Sequence, residues 1–317
     1  MPSIAEMQAA DAATGSTAAR RVCAIVITYH PPDEFARVIE RILPQVGAIV
    51  IVDNGSRDAK LTCLREIAAH PSIELICNGE NLGIAKALNL GIQRASALGF
   101  AWVLLCDQDS YPNADMVASL DAVRASFPDP AHLAVIGSGY DDELDMAGAP
   151  TGKERGGDEH GGMPWHDMES VITSGSLLSL AAFAAIGPFR EEFFIDHVDT
   201  EFCLRARLKH YRVIKTRGAL MSHAIGAPTT HRILWMQKRT TNHAPDRRYY
   251  FTRNDTVLLH ERGNHPAGLW ILKGLMRSLR TCKRILLYEQ MKTEKLTAVI
   301  GGWWDGVRGR LGPRVRR

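Results

Sequence analysis

The stretch Asp107-Gln108-Asp109 places two carboxylates two residues apart, directly after an apolar run. In an extended segment such a pair points the same way. It then offers hard oxygen donors that suit Mg2+ or Mn2+, ions that keep coordination positions open for phosphate oxygens. Thr28-Tyr29-His30-Pro31, Asp53-Asn54-Gly55-Ser56 and Asn78-Gly79-Glu80-Asn81-Leu82-Gly83 also follow apolar runs. Each alone is ordinary turn chemistry. Together they crowd acids and amides onto one rim, and crowded carboxylates repel unless something positive sits among them. The chain holds neither G-x-x-x-x-G-K-S/T nor G-x-G-x-x-G, so a glycine cradle for phosphate is unsupported. A divalent cation is the remaining way to grip a diphosphate.

The elements that must position these groups are legible as apolar runs. Val22–Thr28, residues 48–52, Ile73–Cys77, residues 101–106 and residues 133–136 are apolar on both alternations, as strands covered on both faces are. Between them, Phe35, Val38, Ile39, Ile42 and Leu43, then Leu61, Leu64, Ile67 and Ala68, then Ile84, Leu88 and Ile92 follow helical spacing. This alternation predicts a wound α/β sheet with right-handed crossovers. In such sheets ligands bind at the carboxyl ends of the strands, which is where the polar groups fall.

Residues 137–166, rich in Gly and Asp, predict a functional loop over the site. Trp165, at its end, is a candidate to stack on a sugar. Thr173-Ser174-Gly175-Ser176 offers small hydroxyls and a close backbone approach, suited to a ligand. Residues 177–186 and 199–209 read as helices, 211–216 and 219–223 as short strands, and everything from Arg232 onward as basic helix. Six cysteines without a C-x-x-C pair read as reduced, mostly core residues.

From Pro266 onward twelve Lys/Arg face three Asp/Glu, a net of +9, so the first 265 residues sum to −6. A basic tail on an acidic body suggests a polyanionic partner. Leu269, Leu272, Leu275, Met276, Leu279, Ile285 and Leu286 interleave with Lys273, Arg277, Arg280, Lys283 and Arg284, with Trp303 and Trp304 beyond. Two readings stay open: docking on an anionic membrane surface, or packing on the body or a second subunit. Nucleic acid is not expected, since no recognised module accompanies the charge. No apolar stretch of about 18 residues is present for a spanning helix. The first 21 residues lack the apolar core of a secretory signal. The expected location is cytoplasmic, including the inner face of the plasma membrane. A homo-oligomer is left open.

Nine segments resemble family 2 glycosyltransferases of the GT-A fold, and within them the dTDP-rhamnosyltransferase-like group. They are AIVITYHPP (24–32), IVIVDNGS (49–56), NGENLGIAKALNLGI (78–92), WVLLCDQDS (102–110), TSGSLLS (173–179), FFIDHVDTEFCLRA (193–206), SHAIG (222–226), YYFTRND (249–255) and GGWWDGVRGRLG (301–312). The resemblance implies an α/β GT-A nucleotide-diphospho-sugar transferase fold, a Rossmann-like mixed sheet with a C-terminal helical extension. The expected division is an extension over 1–21, a catalytic domain over 22–228 and a basic helical region over 229–317.

It further implies that Thr28, Tyr29 and Asp53 hold the nucleotide base, Asp53 accepting from the pyrimidine N3–H. Asn81, Gly83 and Lys86 flank the nucleotide. Asp107 and Asp109 bind the metal, Asp107 also lying near the ribose, and His223 completes the metal shell. Gly175 is expected beside the donor sugar. Asp199 is the implied catalytic base of an inverting transfer. Many relatives carry an acid where this chain has Val198, so Asp196 is the alternative base. His197 is a candidate to orient acceptor or base. The implied reaction moves L-rhamnose from dTDP-β-L-rhamnose to a saccharide or lipid-linked saccharide acceptor in polysaccharide (O-antigen or exopolysaccharide) assembly. The alternatives are a UDP-sugar donor or a non-catalytic glycan- or membrane-binding scaffold. A nucleotidylyltransferase is disfavoured, since TYHPPDE stands where that class has a Gly-rich basic loop.

Overall fold

The computed structural model describes residues 21–140, 164–223, 229–233, 236–240, 242–262 and 268–314. Four parallel units open the chain: β1 (Val22–Thr28), α1 (Phe35–Ile42), β2 (Ala48–Asp53), α2 (Asp58–Ile67), β3 (Ile73–Cys77), α3 (Ile84–Ala97) and β4 (Trp102–Asp107). Then follow β5 (Ser110–Pro112), α4 (Met116–Ser126), β6 (Leu133–Tyr140), β7 (Trp165–Asp167), β8 (Ser176–Ser179), α5 (Leu180–Ile186), α6 (Val198–Leu208) and β9 (Arg212–His223). A hairpin of β10 (Thr229–Ile233) and β11 (Met236–Thr240) precedes three helices, α7 (Pro245–Glu261), α8 (Leu269–Tyr288) and α9 (Lys292–Val307).

The strand order is β3-β2-β1-β4-β8-β6-β9-β5, with β7 also on β9. β3, β2, β1 and β4 are parallel, β8 runs against β4 and β6, and β5 and β7 run against β9. This is the mixed α/β sheet of a GT-A fold. Strand alternation divides the core in two. Cys23, Ile25 and Ile27 join Val50, Leu88, Ile92 and Phe202 on one face. Val22, Ala24 and Val26 join Phe35, Ile42, Ile51 and Leu120 on the other. Burial on both faces is why these strands are unbrokenly apolar. All six cysteines are free, and Cys77 is exposed. Burial pushes the thiols of Cys23, Cys106 and Cys203 up to about 12, so they are not nucleophiles.

Four expectations change. Residues 176–179 are a strand, and only Leu180–Ile186 is helical, capped by Ser179 Oγ accepting from Ala182 N. The two short strands expected over 211–223 are one, β9. Residues 229–240 form a hairpin, although helix was expected from Arg232 onward. Trp165 is 2% exposed and packs on Phe127 with ring centroids 5.0 Å apart, so it is core and not a stacking platform. The loop expected over the site falls mostly on residues 141–163, outside the described residues.

The C-terminal helices are bound tightly to one another. α9 crosses α7 at Gly302 and Gly306, where an added Cβ would stand 2.4 Å from Tyr249 O and 2.8 Å from Arg253 O. Several tail cations are paired with acids of the chain: Lys295 with Glu289, Arg277 with Asp255 and Arg314 with Asp246. α8 turns Gly274, Ser278 and Ile285 inward and leaves Leu272, Met276, Leu279, Leu286 and Leu287 exposed.

Candidate functional site

Register alone brings the first group of candidate residues together. Thr28 pairs with Asp53 across β1 and β2, and Ile27 pairs with Asp107 across β1 and β4. Three strands therefore end at one level, on the rim where ligands bind in wound sheets. Thr28 and Asp53 are buried, Tyr29 is exposed, and Asp107, Gln108 and Asp109 are half-buried.

Asp53 is a knot at this rim. Its Oδ1 accepts from Thr28 Oγ1 at 3.0 Å and Ser56 Oγ at 2.5 Å. Its Oδ2 accepts from the N–H groups of Gly55 at 3.1 Å and Ser56 at 2.8 Å. A carboxylate has about four acceptor positions, and protein donors already engage four. Exchange of the rotatable Ser56 hydroxyl would open one of them to a ligand N–H. Asn54 continues the net, donating to Gly83 O at 3.1 Å and accepting from Asn78 Nδ2 at 2.8 Å.

Gly83 joins this rim to a second one. Its φ is +86°, and an added Cβ would stand 2.7 Å from Phe194 O, so only glycine fits. Gly83 N donates to Asn81 Oδ1 at 3.0 Å, and Ile84 N donates to Phe194 O at 2.7 Å. Lys86 is paired with Glu191, which also accepts from Asn89. It thus fixes the Glu191–Phe193 turn as well as flanking the rim.

β4 ends at Asp107, and Gln108 and Asp109 form a turn. The expected extended alternation does not explain how the two acids are arranged; the turn does. The turn is pinned from three sides. Asp107 N donates toward Ser110 Oγ at 3.3 Å and Ser174 Oγ at 3.2 Å, and those hydroxyls bond each other at 2.5 Å. Gln108 Oε1 accepts from Tyr29 N at 2.8 Å. Gly175, with φ +73°, donates to Leu105 O at 2.7 Å; a Cβ there would meet Ser138 Oγ at 2.5 Å. Gly175 therefore lets the TSGS segment lie against β4 beside the acidic turn.

Two carboxylates here match the hard-oxygen chemistry of Mg2+ or Mn2+. Among the described residues no three His, Cys, Asp or Glu gather into a complete ion site. Ser110, next to Asp109, pairs with His223 across β5 and β9, so His223 is carried to this turn by register. Its side chain lies outside the described residues, and its expected place in the metal shell with it.

The second rim is a strained loop. Phe194, Asp196 and His197 have φ of +65°, +63° and +60°. Phe194 is the centre of a γ-turn of the rarer hand, with ψ −68° and Ile195 N donating to Phe193 O at 2.8 Å. Non-glycine residues hold such angles only when their surroundings over-determine them. Here α7 supplies the constraint. Asn254, fully buried, donates through Nδ2 to Phe193 O, Ile195 O and Asp196 O at 3.0, 2.9 and 2.8 Å. Arg253, also buried, donates to Glu192 O and Phe193 O at 3.1 and 3.0 Å and to Gly312 O at 2.5 Å. Tyr250 stacks on Phe194 with centroids 4.9 Å apart. Arg253 and Asn254 lie inside the YYFTRND segment, whose pattern alone assigns them no role.

The loop presents three titratable side chains. Asp196 Oδ1 accepts from Arg247 Nε at 3.1 Å, while its Oδ2 is buried without a partner among the described residues. His197 Nε2 is likewise buried and unpartnered, its ring 4.5 Å from that of Phe251. Asp199, in the first turn of α6, accepts from Thr200 N at 2.6 Å and backs onto a small cavity walled by Leu105, Val135, Val171, Phe189 and Phe202. Burial raises its pKa above the ordinary carboxylate value, and Asp196 adds to that; the Thr200 N–H and nearby His197 pull the other way.

The glycosyl transferase family 2 description matches residues 23–141. The chain is 30% identical to the dTDP-rhamnosyl transferase RfbF of Shigella flexneri over 301 residues, 92% of this chain and 97% of that one. Among solved structures, residues 1–349 of S. aureus TarS in complex with UDP superpose with a TM-score of 0.56, covering 92% of this chain and 82% of that one at 17% identity. The mannosyltransferase PcManGT of Pyrobaculum calidifontis, in complex with GDP-Man and Mn2+, gives 0.56 over 92% and 88% at 15% identity.

Two outcomes follow. Asn254→Ala removes three buried donor contacts and should destabilise by roughly 2–4 kcal/mol. In the folded variant turnover should fall at least about tenfold, with nucleotide affinity within about twofold; equal losses in both would remove the clamp's specific role. Asp199→Asn tests the buried acid. A folded pKa above the unfolded value means that the group's stabilising contribution is present below the unfolded pKa. It is lost as pH rises through the folded one. Above the unfolded value the buried carboxyl is therefore a cost to folding, and the variant, whose amide carries no charge to desolvate, should show a higher Tm at neutral pH. An unchanged or lower Tm contradicts the assignment.

Proposed function

Because the chain belongs to glycosyltransferase family 2, and is a glycosyltransferase of the rhamnosyltransferase-like kind, we propose that it carries out an inverting, metal-dependent transfer of L-rhamnose. The donor is dTDP-β-L-rhamnose, and the acceptor is a saccharide of a cell-surface polysaccharide such as O-antigen or exopolysaccharide. The observation that carries this is the meeting of two rims: strand ends bearing Thr28, Asp53, Asp107 and Asp109, and a strained loop bearing Asp196, His197 and Asp199, joined at Gly83 and Phe194.

In this reading exposed Tyr29 faces the thymine, and Thr28 and Asp53 fix the backbone around it. Asn81, Gly83 and Lys86 hold the edge of the nucleotide pocket. Asp107 and Asp109, joined by His223, would hold the divalent ion. When bound, Mg2+ or Mn2+ neutralises charge growing on the departing diphosphate. Gly175 and its neighbouring hydroxyls line the sugar. Asp196 Oδ2 and His197 Nε2, the two unpartnered atoms of the loop, bond acceptor hydroxyls. Asp199 takes the proton of the attacking hydroxyl as that oxygen bonds the anomeric carbon and the bond to the diphosphate oxygen breaks. Its raised pKa strengthens it as a base, and such a group is worth about 10²–10⁴ in rate.

The acceptor is lipid-linked in this reading, and α8 rests on the inner face of an anionic membrane. No helix among the described residues is long and apolar enough to cross a bilayer. Instead Leu272, Met276, Leu279, Leu286 and Leu287 form an outward stripe, and Lys273, Arg277, Arg280 and Arg284 flank one side of it. That pattern suits burial at a negatively charged interface.

Calorimetry tests the donor site. dTDP should bind with Mn2+ and lose at least about tenfold in affinity without it or in Asp109→Ala. Metal-independent binding would overturn the metal assignment. Flotation tests the membrane: the chain should rise with phosphatidylglycerol vesicles and not with phosphatidylcholine, and Leu272→Asp with Leu279→Asp should abolish it. Flotation by the double variant would refute the stripe.

A further inference from the structure

Helices α7, α8 and α9, with His243 just ahead of α7, gather five basic side chains beside the strained loop. Arg247 bonds Asp196 at 3.1 Å. Arg248 is buried, its guanidinium bonded to Glu289, and its Nε has no partner among the described residues. Lys295, also buried, reaches the other Glu289 oxygen at 3.0 Å and Asn242 Oδ1 at 2.5 Å. Arg284 enters from α8, half-buried, near enough to disfavour a second charge on Arg248, and pairs with no acid among the described residues. Burial, then Arg247, Arg248, Lys295 and Arg284, push the pKa of His243 down to about 3.

Four permanent cations here face two carboxylates, Glu289 and Asp196, an excess of +2. The other acids of α7 are engaged elsewhere: Asp246 with Arg314, Asp255 with Arg277 and Glu261 with Arg190. Arg248 and Lys295 are buried and Arg284 half-buried, with Arg247 exposed at the edge; cations crowded in this way repel one another, and packing alone gives no return for that arrangement. An anion would restore the balance. Two or three guanidinium groups with a neutral imidazole match phosphate oxygens, to which planar forks donate in pairs.

We propose that His243, Arg247, Arg248 and Arg284 bind the phosphate or diphosphate of the acceptor, so that the saccharide is recognised together with its phosphate linkage. This rests on the transferase reading above. The Arg247–Asp196 bond sets the cluster against the loop that receives the acceptor, not among the strand ends assigned to the donor. Arg284 belongs both to the cluster and to the basic flank of α8, so a lipid-borne phosphate would arrive along that flank. Anionic headgroups share this chemistry, and the test separates them.

The full chain is titrated with inorganic pyrophosphate in the presence of a chelator, which silences any metal-borne site. Pyrophosphate should still bind; Arg284→Gln should weaken it about tenfold or more, and Arg280→Gln, on the same helix, less than about twofold. Flotation with phosphatidylglycerol vesicles should fall equally in the two variants. The proposal is overturned by absent binding, by equal losses of pyrophosphate affinity, or by a loss in Arg284→Gln confined to vesicles. Mn2+-dependent dTDP binding, measured on the same proteins without the chelator, reports the donor site separately, so its failure would count against the transferase reading alone.

Discussion

Three backbone carbonyls of an unfavourable loop are held by one buried amide. Asn254 reaches Phe193, Ile195 and Asp196 from the middle of α7, and Arg253 beside it holds Glu192 and Phe193. Without such a hold, a γ-turn at Phe194 and positive φ at Asp196 and His197 would relax into commoner conformations. The side chains of Asp196, His197 and Asp199 would then move with them. The helices after residue 244 are therefore part of the proposed active centre through their interior, although they present none of its acids. The crossing of α9 over α7 at Gly302 and Gly306 keeps that interior closed.

The loop is also the partner of the strand-end rim. Phe194 O, fixed on one side by the clamp's neighbours, accepts from Ile84 N at the head of α3, and Gly83 has no side chain because Phe194 occupies the space. Strand register sets Thr28, Asp53 and Asp107 at one level, and this contact sets the distance from them to Asp199. The groups proposed for donor and acceptor are thereby pre-positioned by rigid elements, which is where much of an enzyme's rate advantage over solution resides. Asp199 stands against apolar walls with its pKa raised, so the feature that suits it to the proposed role of base also makes it a cost to folding.

Much of this was legible in the sequence, for physical reasons. The parallel strands are covered on both faces, so their apolar runs were unbroken and their polar successors marked the rim. The misreadings have causes as well. Leu177–Ile186 looked helical because β8 passes into α5 at Ser179 without an intervening turn. Asp107 and Asp109 were rightly placed at a strand end, but β4 stops at the first of them. Asp53 was expected to serve a ligand, and four protein donors show that it also ties the rim together. Arg253 and Asn254 could not be weighed from pattern, since a charged and an amide residue inside a helix ordinarily face water. Only the fold shows them buried. The basic tail was read as one charge, yet the structure divides it into internal pairs, an outward flank and a cluster with an uncompensated excess.

The central claim is that the acidic strand ends hold the donor and the clamped loop serves the acceptor. A crystal structure of the chain with dTDP-rhamnose and Mn2+ tests it most directly. The account predicts the ion on Asp107 and Asp109, thymine beside Tyr29, and the face of the anomeric carbon opposite the diphosphate turned toward Asp199. A nucleotide lodged elsewhere, or an anomeric carbon turned away from the 194–199 loop, would contradict it.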